Sequence, residues 1–102
     1  MNITATGQVL ELEGHLDVRS TGALRIAIYE QLAGYDCDVV LDMSRVDAID
    51  VTTLRLIAVA TRYAWLTGHH LVLRNPSTSV RRMMHIARLA HALEVERSAA
   101  TA

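Results

Sequence analysis

The alternation of hydrophobic and polar residues predicts short strands separated by helices. Polar and apolar side chains largely alternate over Gln8–Glu13, which is typical of a strand with one buried face. Apolar residues then recur at intervals of three and four positions between Thr21 and Gly34. This period indicates a helix that begins at a Ser20 or Thr21 cap and ends at Gly34.

The middle of the chain repeats the strand–helix pattern. Asp38–Asp42 contains an unbroken apolar run, which favours a central strand buried on both faces. Ser44–Asp47 is predicted to be a turn, and Ile49 a brief return to the core. The next apolar period predicts a second helix over Thr53–Thr67 that Gly68 ends.

The last third of the chain predicts one more strand and helix. Leu71–Leu73 is a short apolar strand, and Asn75–Pro76 marks a turn. Ser77 is placed to cap a third helix. Leu93–Glu96 is a candidate for a final edge strand, and the small, polar tail over residues 98–102 is expected to fray.

The order of these elements predicts one α/β domain over residues 1–97. Alternating strands and helices favour a mixed, mostly buried β-sheet with helices packed on it. The chain has 102 residues, of which 51% are hydrophobic, so it is long enough for one domain with a substantial core.

Composition and charge narrow the classes of function. The formal net charge of -1 does not favour binding to nucleic acid or to an anionic membrane. No apolar stretch is long enough to span a bilayer, and the N-terminus does not resemble a signal peptide, so we expect a cytoplasmic protein without membrane insertion. The histidines lack metal-ligand spacing, and no glycine-rich phosphate loop with a lysine is present. We therefore expect neither a metal nor a cofactor.

The second helix carries more apolar surface than one buried face requires. Two apolar stripes on roughly opposite sides can be drawn on it, one with Leu54, Ile57, Ala58, Thr61 and Trp65 and the other with Leu56, Val59, Ala60 and Tyr63. Complete burial of a helix is difficult in so small a domain. Partial exposure of the second stripe would provide a docking face for a partner.

Hydroxyl and carboxylate side chains gather where the central strand gives way to the second helix. Asp50, Thr52 and Thr53 lie at this point, close to unpaired backbone N–H groups and the positive end of a helix dipole. Such a place suits a phosphate group on a hydroxyl. A helix cap is the alternative for Thr52 and the preferred interpretation for Thr53.

These motifs, taken in order, resemble a STAS domain, the fold of bacterial anti-sigma factor antagonists. Residues 14–17, Gly-His-Leu-Asp, are similar to the family's Gly-Glu-Leu-Asp, and the strand ending in Asp42-Met43-Ser44 is similar to its Asp-Leu-Ser. Residues 49–54, Ile-Asp-Val-Thr-Thr-Leu, correspond to its apolar-Asp-Ser-Ser/Thr-Gly-Leu. Val51 and Thr53 depart from that motif, as does Arg55 just after it, where a small residue is common in the family.

The resemblance implies a mechanism and assigns residues to it. The phosphorylated hydroxyl of the family falls on Thr52, with Asp17, Asp50 and Thr53 around it. An unphosphorylated antagonist would bind an anti-sigma factor that is also a serine/threonine kinase with an ATP-binding domain, and so free the sigma factor. Phosphorylation would end the binding, and a phosphatase would reverse it.

On the second helix, the residues expected to face the partner are Leu54, Arg55, Ala58, Val59 and Arg62. The resemblance therefore implies a binding module and kinase substrate, not an enzyme.

Two other functions remain open from the sequence. STAS-like subunits also bind transport ATPases, and in that case Thr52 would be a contact without being phosphorylated. Alternatively, Asp17 and Asp50 could serve as a catalytic carboxylate pair or bind a small ligand. No accompanying histidine pattern supports hydrolysis, so capping and turn roles are the simpler interpretation of these acids.

Overall fold

The computed structural model describes residues 2–34 and 38–96. The elements in these ranges are β1 (Asn2–Thr6), β2 (Val9–Leu16), α1 (Thr21–Gly34), β3 (Val39–Ile49), α2 (Val51–Leu66), β4 (Leu71–Arg74), α3 (Thr78–Ile86), a 3-10 turn (Ala90–Ala92) and β5 (Glu94–Val95). The predicted domain end at residue 97, the predicted frayed tail and the single cysteine lie outside the described residues.

The strands form one mixed sheet in the order β1-β2-β3-β4-β5. β1 pairs with β2 in antiparallel fashion, and each later neighbouring pair is parallel. Helices α1, α2 and α3 each connect two adjacent parallel strands. The predicted α/β domain with a mixed sheet and packed helices is confirmed.

The helices pack on one face of the sheet. Right-handed crossovers between strands that follow one another in order place every connecting helix on the same side. Leu12, Leu41 and Leu73 point from three strands into a core shared with buried residues of all three helices, such as Ile28, Leu54 and Met84. The opposite face carries a polar row in which Glu11 pairs with Asp42, and Asp42 pairs with Arg74.

Strand β3 is much longer than the sequence pattern indicated. The predicted turn over Ser44–Asp47 is wrong, because these residues continue the ladder with β2 as far as the Leu16–Ile49 pair. Two register shifts in this ladder disturb the strict alternation of polar and apolar residues. The buried side chain of Val46 nevertheless keeps this part of the strand attached to the core.

Strand β1 was missed because its side chains carry almost no burial signal. Four of its five residues are exposed, and the strand is held by backbone pairing with β2. Gly7 lies in the tight turn between the two strands with φ of 60°, a left-handed conformation that glycine adopts without strain. By contrast, the predicted Ser77 cap is confirmed, since its hydroxyl accepts a hydrogen bond from the Val80 N–H.

Candidate functional site

Asp50 caps helix α2 at the carboxyl end of β3. Its Oδ1 accepts a hydrogen bond of 2.8 Å from the Thr53 N–H, and its carbonyl accepts the first helical bond from the Leu54 N–H. The helix therefore begins at Val51, two residues earlier than predicted. The cap interpretations of Thr52 and Thr53 are wrong, because a carboxylate already satisfies the backbone donor that either hydroxyl would have taken.

Thr52 is exposed in the first turn of α2. Its hydroxyl makes no hydrogen bond to any residue in the described ranges. Two threonines further along the chain differ in this respect, since the hydroxyls of Thr61 and Thr67 donate to carbonyl groups one turn earlier. Thr52 thus presents an accessible hydroxyl on a rigid helical backbone, which suits a site of covalent modification.

Thr53 points in the opposite direction. Its side chain is fully buried, so the expectation that it forms part of the surroundings of the Thr52 hydroxyl is wrong. Its Oγ1 is buried without a hydrogen-bond partner among the described residues. An unpaired buried hydroxyl costs free energy because it has lost its hydrogen bonds to water.

Thr53→Val is therefore expected to raise the free energy of unfolding by about 1–2 kcal/mol. Valine keeps the shape of the side chain and removes the unpaired hydroxyl. The measurement is urea denaturation followed by circular dichroism. Thr61→Val is the matched control, because that buried hydroxyl donates to the Ile57 carbonyl and its loss should bring no gain. A Thr53→Val protein no more stable than wild type would contradict the expectation.

Asp17 and Asp50 lie side by side at the ends of β2 and β3. The Asp50 N–H donates to the Leu16 carbonyl at 3.1 Å, which extends the parallel ladder by one residue. The two acids that the resemblance assigned to the site are thus brought together. Asp17 also forms an ion pair of 2.9 Å with Arg19, and the hydrogen bonds from Arg19 hold the pKa of the Asp17 carboxyl below its ordinary value. Asp17 therefore has a cationic partner of its own.

A groove of about 460 Å³ between α1 and α2 opens beside Thr52. It is lined by Thr21, Arg25, Tyr29, Thr52, Arg55, Leu56 and Val59. The lining combines two cationic side chains with apolar and hydroxyl groups and contains no acid. One end of the groove is the shared starting edge of α1 and α2, where β2 and β3 finish.

Sequence reasoning missed the α1 side of this groove. Thr21, Arg25 and Tyr29 follow one another at intervals of four, which places them on one face of a helix. That spacing was the available signal. It could not be connected with Thr52, because the two helices are adjacent only after the parallel strands have paired.

The predicted partner-facing residues of α2 do not all face outward. Leu54 is fully buried, so the prediction that it contacts a partner is wrong. Arg55, Val59 and Arg62 are exposed, and Ala58 is half-buried. Leu54 was misassigned because it follows Thr52 closely in sequence while lying on the core side of the helix.

The exposed apolar surface of α2 continues towards its C-terminus. Val59 is 64% exposed, Trp65 63% and Leu66 62%. The expectation that apolar surface remains uncovered on this helix is confirmed, although its division into stripes was not correct: Trp65 is exposed, whereas Ala60 is buried. Val59, Arg62 and Trp65 also line a second hollow that reaches the 3-10 turn.

The described part of the chain contains no group of three or more histidine, cysteine, aspartate or glutamate side chains placed to hold a metal ion. Within the same residues, no helix combines the length and apolarity required to cross a membrane. The features that remain for function are the Thr52 hydroxyl, the groove beside it and the exposed apolar side of α2.

Comparison with known proteins points to one family. The family model described as "Mlab, STAS domain" matches residues 1–95. No curated protein matches the sequence significantly.

Solved structures with a similar fold include proteins described as anti-sigma factor antagonists. A protein of Thermotoga maritima described as a candidate anti-sigma factor antagonist has a TM-score of 0.76 at 16% identity, over 98% of this chain and 88% of that one. The unphosphorylated anti-sigma factor antagonist SpoIIAA of Bacillus has a TM-score of 0.73 at 17% identity, over 98% and 90%. RsbS of Moorella thermoacetica has a TM-score of 0.73 at 20% identity, over 95% and 86%. At these identities, the similarity demonstrates a shared fold.

Proposed function

The chain belongs to the STAS-domain family, and from this premise we propose that it is an anti-sigma factor antagonist. In this proposal it binds an anti-sigma factor of the serine/threonine kinase type and thereby frees the sigma factor. Phosphorylation of Thr52 by that kinase ends the binding, and a phosphatase restores it. The protein acts in the cytoplasm as a binding module and kinase substrate rather than as an enzyme.

The observation that carries the proposal is the state of the Thr52 hydroxyl. It is exposed, makes no hydrogen bond within the described ranges, and lies in the first turn of a helix that Asp50 already caps. A kinase can therefore reach the hydroxyl without unfolding the helix. The similarity in fold to SpoIIAA, which has been solved in unphosphorylated and phosphorylated forms, supports the same interpretation.

The physical effect of the phosphate supports a switch. A phosphate group adds about -1.5 to -2 charges at neutral pH. At position 52 it would stand at the edge of the α1–α2 groove and beside the exposed residues Arg55 and Val59. A partner that contacts this surface would have to accommodate both the bulk and the charge.

The kinase step can be tested directly. The purified chain is incubated with Mg-ATP and each kinase-type anti-sigma factor encoded by the source genome, and the phosphorylated residue is identified by mass spectrometry. We expect one phosphate on the wild type and none on Thr52→Ala. Thr67→Ala, which removes a threonine hydroxyl at the other end of α2, should be phosphorylated like the wild type. Unchanged phosphorylation of Thr52→Ala would exclude this site.

A second function is favoured by one specific observation. The exposed apolar side chains of α2 extend well beyond the neighbourhood of Thr52, to Trp65 and Leu66. A surface of this extent suits a subunit that remains bound to a transport ATPase, with Thr52 as an unmodified contact. The two functions differ in the effect of a negative charge at position 52.

A further inference from the structure

We infer that Arg25 and Arg55 form a clamp that binds the phosphoryl group on Thr52 and holds it in the α1–α2 groove. The inference rests on the proposed function, because it takes Thr52 as the phosphorylated residue. It adds the residues that receive the phosphate, one of which lies on a different helix.

The two arginines share the groove with Thr52. Arg55 follows Thr52 by three residues on α2, a spacing that places both side chains on the same helical face. Arg25 reaches the groove from α1, one turn after Thr21. A phosphate on Thr52 would therefore meet one guanidinium from its own helix and another from across the groove.

Neither arginine is engaged elsewhere in the described part of the chain. Among the described residues, the arginines that form ion pairs are Arg19, Arg45 and Arg74, and neither Arg25 nor Arg55 makes a hydrogen bond. Both guanidinium groups line one groove that has no acidic side chain in its lining. A phosphate suits this position, because guanidinium groups bind phosphate oxygens through charge-assisted and often bidentate hydrogen bonds.

The two nearest acids each have a partner close by in sequence. Asp17 is paired with Arg19, and one carboxylate oxygen of Asp50 accepts from the Thr53 N–H. The first turns of α1 and α2 contain no acidic residue, so the positive ends of both helix dipoles also favour an anion here. The resemblance implied a phosphate beside Asp17 and Asp50, and the folded chain adds two arginines on the groove side of Thr52.

Binding by the two arginines would make the phosphate an obstacle to the partner. Held between α1 and α2, it would occupy the groove over Leu56 and Val59. It would also neutralise the two arginines that otherwise remain available to a partner. Phosphorylation would then block the docking surface from within, in addition to repelling the partner.

The clamp can be tested without any kinase. Phosphothreonine is incorporated at position 52 during translation, and its second ionisation is followed by phosphorus NMR over a pH titration. Arginines that bind the phosphate dianion stabilise the deprotonated form and so lower the second pKa of the phosphate. We therefore expect Arg25→Gln and Arg55→Gln each to raise the second pKa of the phosphate, which corresponds to a fall of about threefold in its acid dissociation constant.

Arg81→Gln is the matched control. It removes the same charge from an exposed position on α3, away from the groove, and should leave the titration unchanged. Circular dichroism verifies that each variant is folded. If the two groove variants titrate like Arg81→Gln, the clamp is refuted, even if the kinase is later found to modify Thr52. Absence of phosphorylation by the kinase would instead refute the proposed function and leave this result intact.

Discussion

Thr52→Glu is expected to lower the affinity for the kinase-type anti-sigma factor by at least about tenfold, which corresponds to about 1.4 kcal/mol. The glutamate places a fixed negative charge on an exposed helical position beside the groove that the partner would contact. Unpaired or like charges at an interface cost up to several kcal/mol. Because glutamate carries less charge than a phosphate, the effect of phosphorylation should be larger still. Isothermal titration calorimetry with the purified partner measures the difference.

Two further variants separate charge from size. Thr52→Gln has nearly the shape of the glutamate without its charge, and Thr52→Ala removes the hydroxyl. Both are expected to bind within about threefold of wild type, since an exposed neutral substitution outside a hot spot changes affinity little. Equal affinities for Thr52→Glu and Thr52→Gln would exclude a charge switch. That result would favour the constitutive transport-ATPase subunit, for which position 52 is only a contact.

Leu54→Ala is expected to lower the free energy of unfolding by about 2–5 kcal/mol. Leu54 is fully buried in the hydrophobic core between the helices and the sheet, so truncation of its side chain leaves a cavity. The loss is a large fraction of the roughly 5–15 kcal/mol that stabilises a small domain. Urea denaturation followed by circular dichroism gives the value.

Val59→Ala is the matched control on the same helix. Val59 is 64% exposed, so its truncation should change stability by no more than about 0.5 kcal/mol. The effects on partner binding are expected to be reversed: Val59→Ala weakens binding, whereas folded Leu54→Ala retains it. If Leu54→Ala lost less than about 1 kcal/mol of stability and also bound the partner more weakly, Leu54 would be a partner contact and not a core residue.

The elements that the sequence predicted well are those in which local chemistry and burial agree. Helix α1 covers Thr21–Gly34, within the predicted range, and Ser77 caps α3 as predicted. Each depends on residues within one or two turns of each other, and such interactions are present in the sequence pattern itself. The sheet type followed from the order of the elements, because parallel strands require crossovers of this length.

The elements that the sequence missed depend on pairing between distant segments. Strand β1 has mostly exposed side chains, and the second half of β3 contains polar residues and register shifts. In both cases, backbone hydrogen bonds to β2 make the strand, and side-chain periodicity does not report them. The start of α2 was misplaced for a local reason: Asp50, Thr52 and Thr53 are all residue types that cap helices, and Asp50 took the role that the pattern had left to threonine.

By itself, the sequence determined that this chain is a single α/β domain and that Thr52 lies where its central strand meets a helix. These properties follow from the order of hydrophobic and polar positions along the chain and from motifs of neighbouring residues. Only the tertiary structure decided that Thr53 and Leu54 turn into the core while Thr52 and Arg55 turn outward. It alone brought Arg25 to the same groove, because the pairing of β2 with β3 sets two helices side by side that are remote in sequence. The physical reason is that a site shared by two elements is created by packing, and packing energies act between residues without regard to their separation along the chain.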